Sequence, residues 1–315
     1  MFFVQYMTPL EDIITRHNMN SVIFADDSQL YVVCDSRTDY SVLTSIEACV
    51  NEIRCWMRAN MLALNDGKTE VVWFSSKYKK TSERAVTTDV RIGDVTVSAS
   101  SKVRDLGVIV DSSGSMEAQV SSICSAASYS LWRIGKIRKL LDQKMTEKLI
   151  HGFVTSRLDY CNSLLFGLPD NVLKKLQLIQ NSAARVVTRR RLCDRDHITP
   201  VLRELHWLPV SLRINFKILC IIFKVIHHSE TAPRYLTEIL TVHSAPRSTR
   251  SATEIRLQPF PMKRRQDRTL KSYGDRALAV CGPNLWNGLP SELRCITNYN
   301  NFKSSLKTHL FRTFY

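Results

Sequence analysis

The chain lacks an apolar run long enough to cross a bilayer. Its most apolar stretch, ILCIIFKVI from Ile218 to Ile226, is interrupted by Lys224 and falls well short of the ~20 residues that a spanning helix needs, so no membrane partner is expected. The opening residues, MFFVQYMTPLEDI, have neither a basic stretch nor a small-residue cleavage site, and no secretory signal is read there. No C-x2-C pair occurs among the nine cysteines, an odd number scattered without regular spacing. That argues against a zinc knuckle and for reduced thiols in an intracellular protein. The strings G-x-x-x-x-G-K-[ST], G-x-G-x-x-G and G-x-S-x-G are also missing, which removes the usual nucleotide-hydrolase, dinucleotide and serine-hydrolase readings. No internal repeat is found.

What is present is the composition of a folded protein: 315 residues, 44% hydrophobic and 23% charged, with a formal net charge of +15. The charge is unevenly spread. Residues 1–127 carry 12 Lys+Arg against 16 Asp+Glu, whereas residues 128–315 carry 32 against 13. An acidic part followed by a strongly basic one suits a polyanion-binding protein with a carboxylate metal centre, because phosphates need a positive lining and divalent metals need carboxylates. A solvated basic surface is the plainer alternative.

Period and punctuation divide the chain. Ser21 to Phe24 and Gln29 to Val33 read as strands of a hairpin with A-D-D-S at its tip. Val42, Ile46, Cys49, Ile53, Trp56 and Met57 predict an amphipathic helix behind Asp39 as N-cap, followed by an N-D-G turn and a strand from Glu70 to Phe74. VRIGDVTV reads as a second hairpin, turning at Gly93-Asp94, and Leu106 to Val110 as another strand. Residues 1–112 are therefore α+β with antiparallel pairing. Helical spacing takes over in residues 113–242. A long helix runs through Val120, Ile123, Ala127, Leu131, Ile134 and Leu141, and a second through Leu149, Phe153, Tyr160 and Leu164. A third is capped by Asp170, and a fourth starts behind Pro209. Residues 243–268 read as a basic, poorly packed Ser/Pro/Arg-rich linker, and 269–315 as a small helical region around a turn at CGPNLWNGLP.

The pair Asp26-Asp27 raises the question of a metal site. Neighbouring residues on a strand point to opposite faces, so two adjacent aspartates at a hairpin tip supply only part of a two-metal phosphoryl-transfer centre. An Asp-Asp dipeptide alone is a weak signal, since turns favour Asp. The surrounding frame strengthens it. FADDSQLYV resembles the aromatic-Ala-Asp-Asp hairpin of reverse transcriptases, LNDGKTEVVWF resembles the Lys-bearing palm segment that follows, and VRDLGVIVD resembles the Leu-Gly primer-grip hairpin. LDYCNSLLFGLP, LQLIQNSAARVV, DHITPVLRELHWLPVSLRINFKIL and GDRALAVCGPNLWNGLP resemble the thumb and C-terminal region of non-LTR, LINE-type polymerases of the jockey-like group. The likeness spans essentially the whole chain.

That resemblance implies a partial palm at 1–112, an α-helical thumb, and template-directed nucleotide addition with Mg2+ and dNTP on an RNA template and DNA primer or RNA-DNA duplex, in nucleus and cytoplasm. It implies Asp26 as a metal ligand with Asp27 beside it, Phe24 packed near the primer terminus, Lys68 as a general acid at the departing pyrophosphate, and Leu106 and Gly107 as primer grip. A solvent lysine and an ordinary strand glycine are the plainer readings of Lys68 and Gly107. The family's upstream aspartate-bearing strand and Q-G-S-x-x-G-P-like segment are not in this sequence, and Glu11 and Asp12 fall in a predicted helix. The expectation is a C-terminal polymerase fragment, inactive alone. The alternatives are a non-catalytic nucleic-acid-binding derivative and a decayed copy.

Basic clusters add candidates. Arg133, Lys136, Arg138 and Lys139, beside Tyr129 and Trp132, suit contacts to a nucleic-acid backbone. TRRR at Thr188 to Arg191 also fits a helix end, and Lys263 to Arg265 lie in the linker. Cys193, His197 and His206 are a weak metal candidate without a fourth ligand, and His227-His228 suits a helix C-terminus.

Overall fold

The structure, a computed structural model, describes residues 2–34, 40–74, 89–93, 95–190, 197–242, 255–259 and 274–315. It divides into two units, Met1–Ala118 and Gln119–Tyr315. The α+β class holds: helices with small, mainly antiparallel hairpins.

In the first unit, α1 (Phe2–Arg16) precedes the hairpin of β1 (Asn20–Phe24) and β2 (Asp27–Tyr31), and α2 (Tyr40–Ala59) follows it. The residues of α1 that recur at helical spacing, Met7, Leu10, Ile13 and Ile14, are buried against Cys49, Ile53 and Met57 of α2, and Ile23 and Leu30 of the hairpin close this core. Asn18, in the left-handed region at φ 56, ends α1, with the Met19 N–H donating to the Ile14 carbonyl. This cap turns the chain into the hairpin. The Asp39 cap expected for α2 lies outside the described residues.

After β3 (Val71–Val72) come the hairpin of β4 (Val90–Ile92) and β5 (Val95–Val97), then β6 (Ala99–Ser100), then the hairpin of β7 (Lys102–Asp105) and β8 (Val108–Asp111). Leu43 and Val50 of α2 pack on Val90 and Ile92. One pairing departs from the antiparallel expectation: β3 and β6, which are not the arms of one hairpin but have β4 and β5 between them in sequence, run parallel. The predicted Leu106 to Val110 strand also changes. Leu106 and Gly107 form the turn between β7 and β8, and the strand starts at Val108.

Asp111 organises the S-S-G-S loop after β8. One carboxylate oxygen accepts the Ser113 N–H and hydroxyl and the Ser115 N–H, and the other accepts the Ser115 hydroxyl and the Met116 N–H. Burial pushes this carboxyl up, but the hydrogen bonds from Ser113, Ser115 and Met116 outweigh it and hold it below its ordinary value. A depressed folded-state value stabilises the fold above the unfolded-state carboxylate range, and that contribution is lost as pH falls through the folded value. Asp111→Asn is expected to lower stability by about 1–3 kcal/mol at pH 7, with the gap to wild type narrowing as the pH is lowered. A gap in unfolding free energy that is the same at pH 7 and at acid pH would refute this role.

The second unit is helical: α3 (Glu117–Ile137), α4 (Gln143–Ile150), α5 (Ser156–Asp159), α6 (Asp170–Thr188), α7 (Ile198–Glu204), α8 (Val210–His227), α9 (Arg234–Ile239), α10 (Leu278–Asn287), α11 (Ser291–Arg294) and α12 (Tyr299–Phe314). The long helix predicted through Leu141 stops at Ile137, and a tight turn, Arg138–Leu140, follows. The second predicted helix begins earlier, where the Asp142 side chain accepts the Met145 N–H, and passes through a wide turn at His151–Thr155. Asp170 is the first residue of α6, behind Pro169, rather than its cap.

CGPNLWN is helical as well, although it reads as a turn. Cys281, Gly282, Pro283 and Trp286 are buried within α10, and a Cβ on Gly282 would stand 2.9 Å from Leu240 and 3.5 Å from Ile222. Close packing on α8 decides the conformation there. Residues 274–315 thus belong to the same unit as the preceding helices rather than forming a region of their own. Part of the predicted linker is packed too: Leu257 is fully buried, its N–H and C=O both bound by the Asn287 side chain, and the Trp286 indole donates to the Ile255 carbonyl. Lys263 to Arg265 lie outside the described residues.

Candidate nucleic-acid interface

The A-D-D hairpin is tighter than the sequence pattern suggests. Phe24 pairs with Asp27, so only Ala25 and Asp26 form the turn, with Ala25 at φ 57. Ile23 and Leu30 face the core, while Asn20, Val22, Phe24, Asp27, Gln29 and Tyr31 share the outer face. Phe24 is 63% exposed, and Asp26 and Asp27 are exposed beside it.

A residue absent from the sequence-based candidates links this hairpin to the one formed by β7 and β8. The Gln29 side-chain amide donates to Asp105, the last residue of β7, next to the Leu106-Gly107 turn. One side-chain bond therefore ties together the two hairpins that carry the palm part of the resemblance. Their pairing spans 76 positions, so no local period could reveal it. At both tips a residue other than glycine takes a left-handed φ, Ala25 at 57 and Leu106 at 42, with Gly107 at 84. Each costs on the order of 1–2 kcal/mol, which the surrounding structure must offset.

Lys68 ends a short turn, Asp66–Lys68, that follows the N-D-G signal. The turn is anchored by Arg54, whose guanidinium nitrogens donate to the two Asp66 oxygens at 3.0 and 2.8 Å. Gly93, at φ 63, leaves room for that guanidinium, since a Cβ there would lie 2.6 Å from the Arg54 Cζ. Lys68 itself is exposed, and among the described residues no hydrogen bond or ion pair joins it to Asp26 or Asp27. Among the described residues, no three His, Cys, Asp or Glu side chains come together where they could hold a metal ion. One turn aspartate and one strand aspartate, both open to solvent, do not fit a pair of Mg2+ ions by themselves.

In the second unit, α3 buries Val120, Ile123, Ala127, Leu131 and Ile134 and exposes Tyr129, Trp132, Arg133 and Lys136. Lys139 is also exposed. Arg138 is not, which corrects its assignment to a nucleic-acid-facing surface. Only 9% exposed, it donates from Nε to the Val186 carbonyl, from Nη1 to Leu141 and from Nη2 to Val187, each at 2.7 Å. It closes the C-terminal end of α6, satisfying carbonyls that the helix leaves free. TRRR is likewise engaged locally: Arg189 donates to the Leu141 carbonyl and Arg190 pairs with Glu204, while Arg191 lies outside the described residues.

His206 packs against Phe311, His197 meets the Thr199 hydroxyl, and Cys193 lies outside the described residues. The His227 ring sits 4.3 Å from Phe223, and burial, with His228 beside it, pulls its pKa below the ordinary imidazole value, opposite to the rise that a helix-end cation would show.

The strings that carry the thumb resemblance interlock. Gln180 of α6 donates to the Leu208 carbonyl, and Gln177 accepts the Val210 N–H at the start of α8. Asp159 receives a two-pronged pair from Arg213, and Arg276 donates to the Phe166 carbonyl. Gly167, at φ 66, has no room for a Cβ, which would lie 2.7 Å from Arg276. No described helix is long and apolar enough to cross a membrane. No family model, curated protein or solved structure matches the chain.

Proposed function

We propose that the chain is the part of an RNA-directed DNA polymerase of the non-LTR, jockey-like type that runs from the Ala-Asp-Asp hairpin through a helical thumb. The observation that supports this is the Gln29–Asp105 bond, which ties the A-D-D hairpin to the hairpin bearing the Leu-Gly turn, a link that an active-site hairpin and a primer grip could share. In this reading, Asp26 and Asp27 contribute carboxylates to a Mg2+ centre completed by an aspartate from elsewhere in the intact intracellular polymerase. Phe24, Leu106 and Gly107 would face the primer, Lys68 the pyrophosphate side, and Arg133, Lys136 and Lys139 template-primer phosphates. A non-catalytic nucleic-acid-binding derivative is favoured over a complete enzyme because, among the described residues, no three His, Cys, Asp or Glu side chains are placed to hold a metal ion.

One preparation tests both halves. The purified chain is expected to show no dNTP incorporation on a primed RNA template with Mg2+, yet to bind an RNA-DNA duplex. Three phosphate contacts correspond to roughly a fortyfold loss of affinity between about 50 and 200 mM salt. Incorporation that disappears in Asp26→Ala would show that the chain completes its own metal site. Affinity unchanged toward molar salt would remove the nucleic-acid reading.

A further inference from the structure

We propose that Tyr129 and Trp132 on α3 form a stacking platform for unpaired bases, so that the second unit prefers single-stranded nucleic acid to duplex. This rests on the nucleic-acid reading above and adds the form of the strand. Tyr129, Trp132, Arg133 and Lys136 fall at i, i+3, i+4 and i+7, one face of the helix, opposite its buried stripe. A single exposed aromatic residue needs no explanation. Here two lie together, 60% and 56% exposed, with ring centroids 6.0 Å apart and planes only 25° from parallel.

Both rings carry a cation. The Lys136 ammonium is 3.7 Å from the Trp132 centroid, and the Arg133 guanidinium carbon 5.8 Å from that of Tyr129. No Asp or Glu occurs from residue 118 to residue 141. The face is thus cationic and lined with flat π surfaces. Its complement is an anionic chain bearing flat rings, which is a strand of nucleic acid. An acidic peptide would satisfy the charges and leave the rings without a partner. A duplex hides the faces of its bases and offers only groove edges and phosphates, whereas an unpaired base stacks on Trp132 while the long Lys136 side chain swings to the adjoining phosphate.

The test uses the full chain, with a fluorescein-labelled oligouridine and a labelled RNA-DNA duplex of equal length, read by anisotropy. Trp132→Ala is expected to weaken oligouridine binding about tenfold and duplex binding less than about twofold. Trp132→Phe, which keeps a π face, is expected to retain most of the affinity. Because Trp132 is exposed, thermal unfolding should be unchanged, and a matching melt confirms an intact fold. Equal losses on both ligands, or no loss on either, in a protein that still binds duplex would overturn the platform and leave the broader reading standing. A wild-type chain that binds neither would sink both. Ile137 and Leu140 are also exposed nearby. Phosphatidylserine-vesicle binding that Trp132→Ala abolishes without a selective loss of oligouridine would reassign the face to a lipid surface.

Discussion

Arg138→Leu is expected to destabilise the second unit by about 3–4 kcal/mol, among the largest effects of any single substitution here. The guanidinium is buried, and it donates three hydrogen bonds to carbonyls, two of them in the last turn of α6. Leucine is shorter and apolar, and it leaves those acceptors without a donor. The site is costly even for the native residue. Burial lowers the Arg138 pKa, nearby Arg189 lowers it further, and Asp142 opposes both. Arg138→Lys should recover only part of the loss, because an ammonium cannot reproduce the planar fork that reaches Val186, Leu141 and Val187 together. Urea unfolding followed by circular dichroism measures this. A loss below about 1 kcal/mol would show that the side chain is solvated in solution and free for a nucleic-acid contact.

Trp286→Ala should cost a similar amount, about 3–5 kcal/mol. The ring is fully buried, lies 5.7 Å from Phe302, and through it joins Phe223 of α8, whose ring stacks 4.4 Å from that of Phe302. Its indole N–H holds the Ile255 carbonyl while the adjacent Asn287 brackets Leu257. Truncation therefore leaves a cavity beneath residues 255–259 and frees one of their anchors. Two readouts should change together: the unfolding free energy, and the rate of tryptic cleavage at Arg256. Trp286→Phe keeps much of the packing and loses the hydrogen bond, for about 1–2 kcal/mol. Cleavage at Arg256 as slow in Trp286→Ala as in wild type would show that the segment is held by other contacts.

Local spacing sufficed to mark several helices and hairpins and the candidate residues. The burial of Cys49, Ile53 and Met57 in α2, and of Val120, Ile123, Ala127, Leu131 and Ile134 in α3, follows the three- and four-residue spacing of their apolar positions. The hairpin tips at Ala25-Asp26 and Gly93 were marked by turn residues between β-branched runs. The tertiary structure decided what distant segments do to one another. It moved Arg138 from the surface to the end of α6, drew residues 255–259 under α10, kept helix through Gly282 and Pro283, and joined Gln29 to Asp105. Periodicity reports which face of one element is apolar. It carries no information about which unsatisfied carbonyl, or which neighbouring tip, lies opposite a given side chain 48 or 76 positions away.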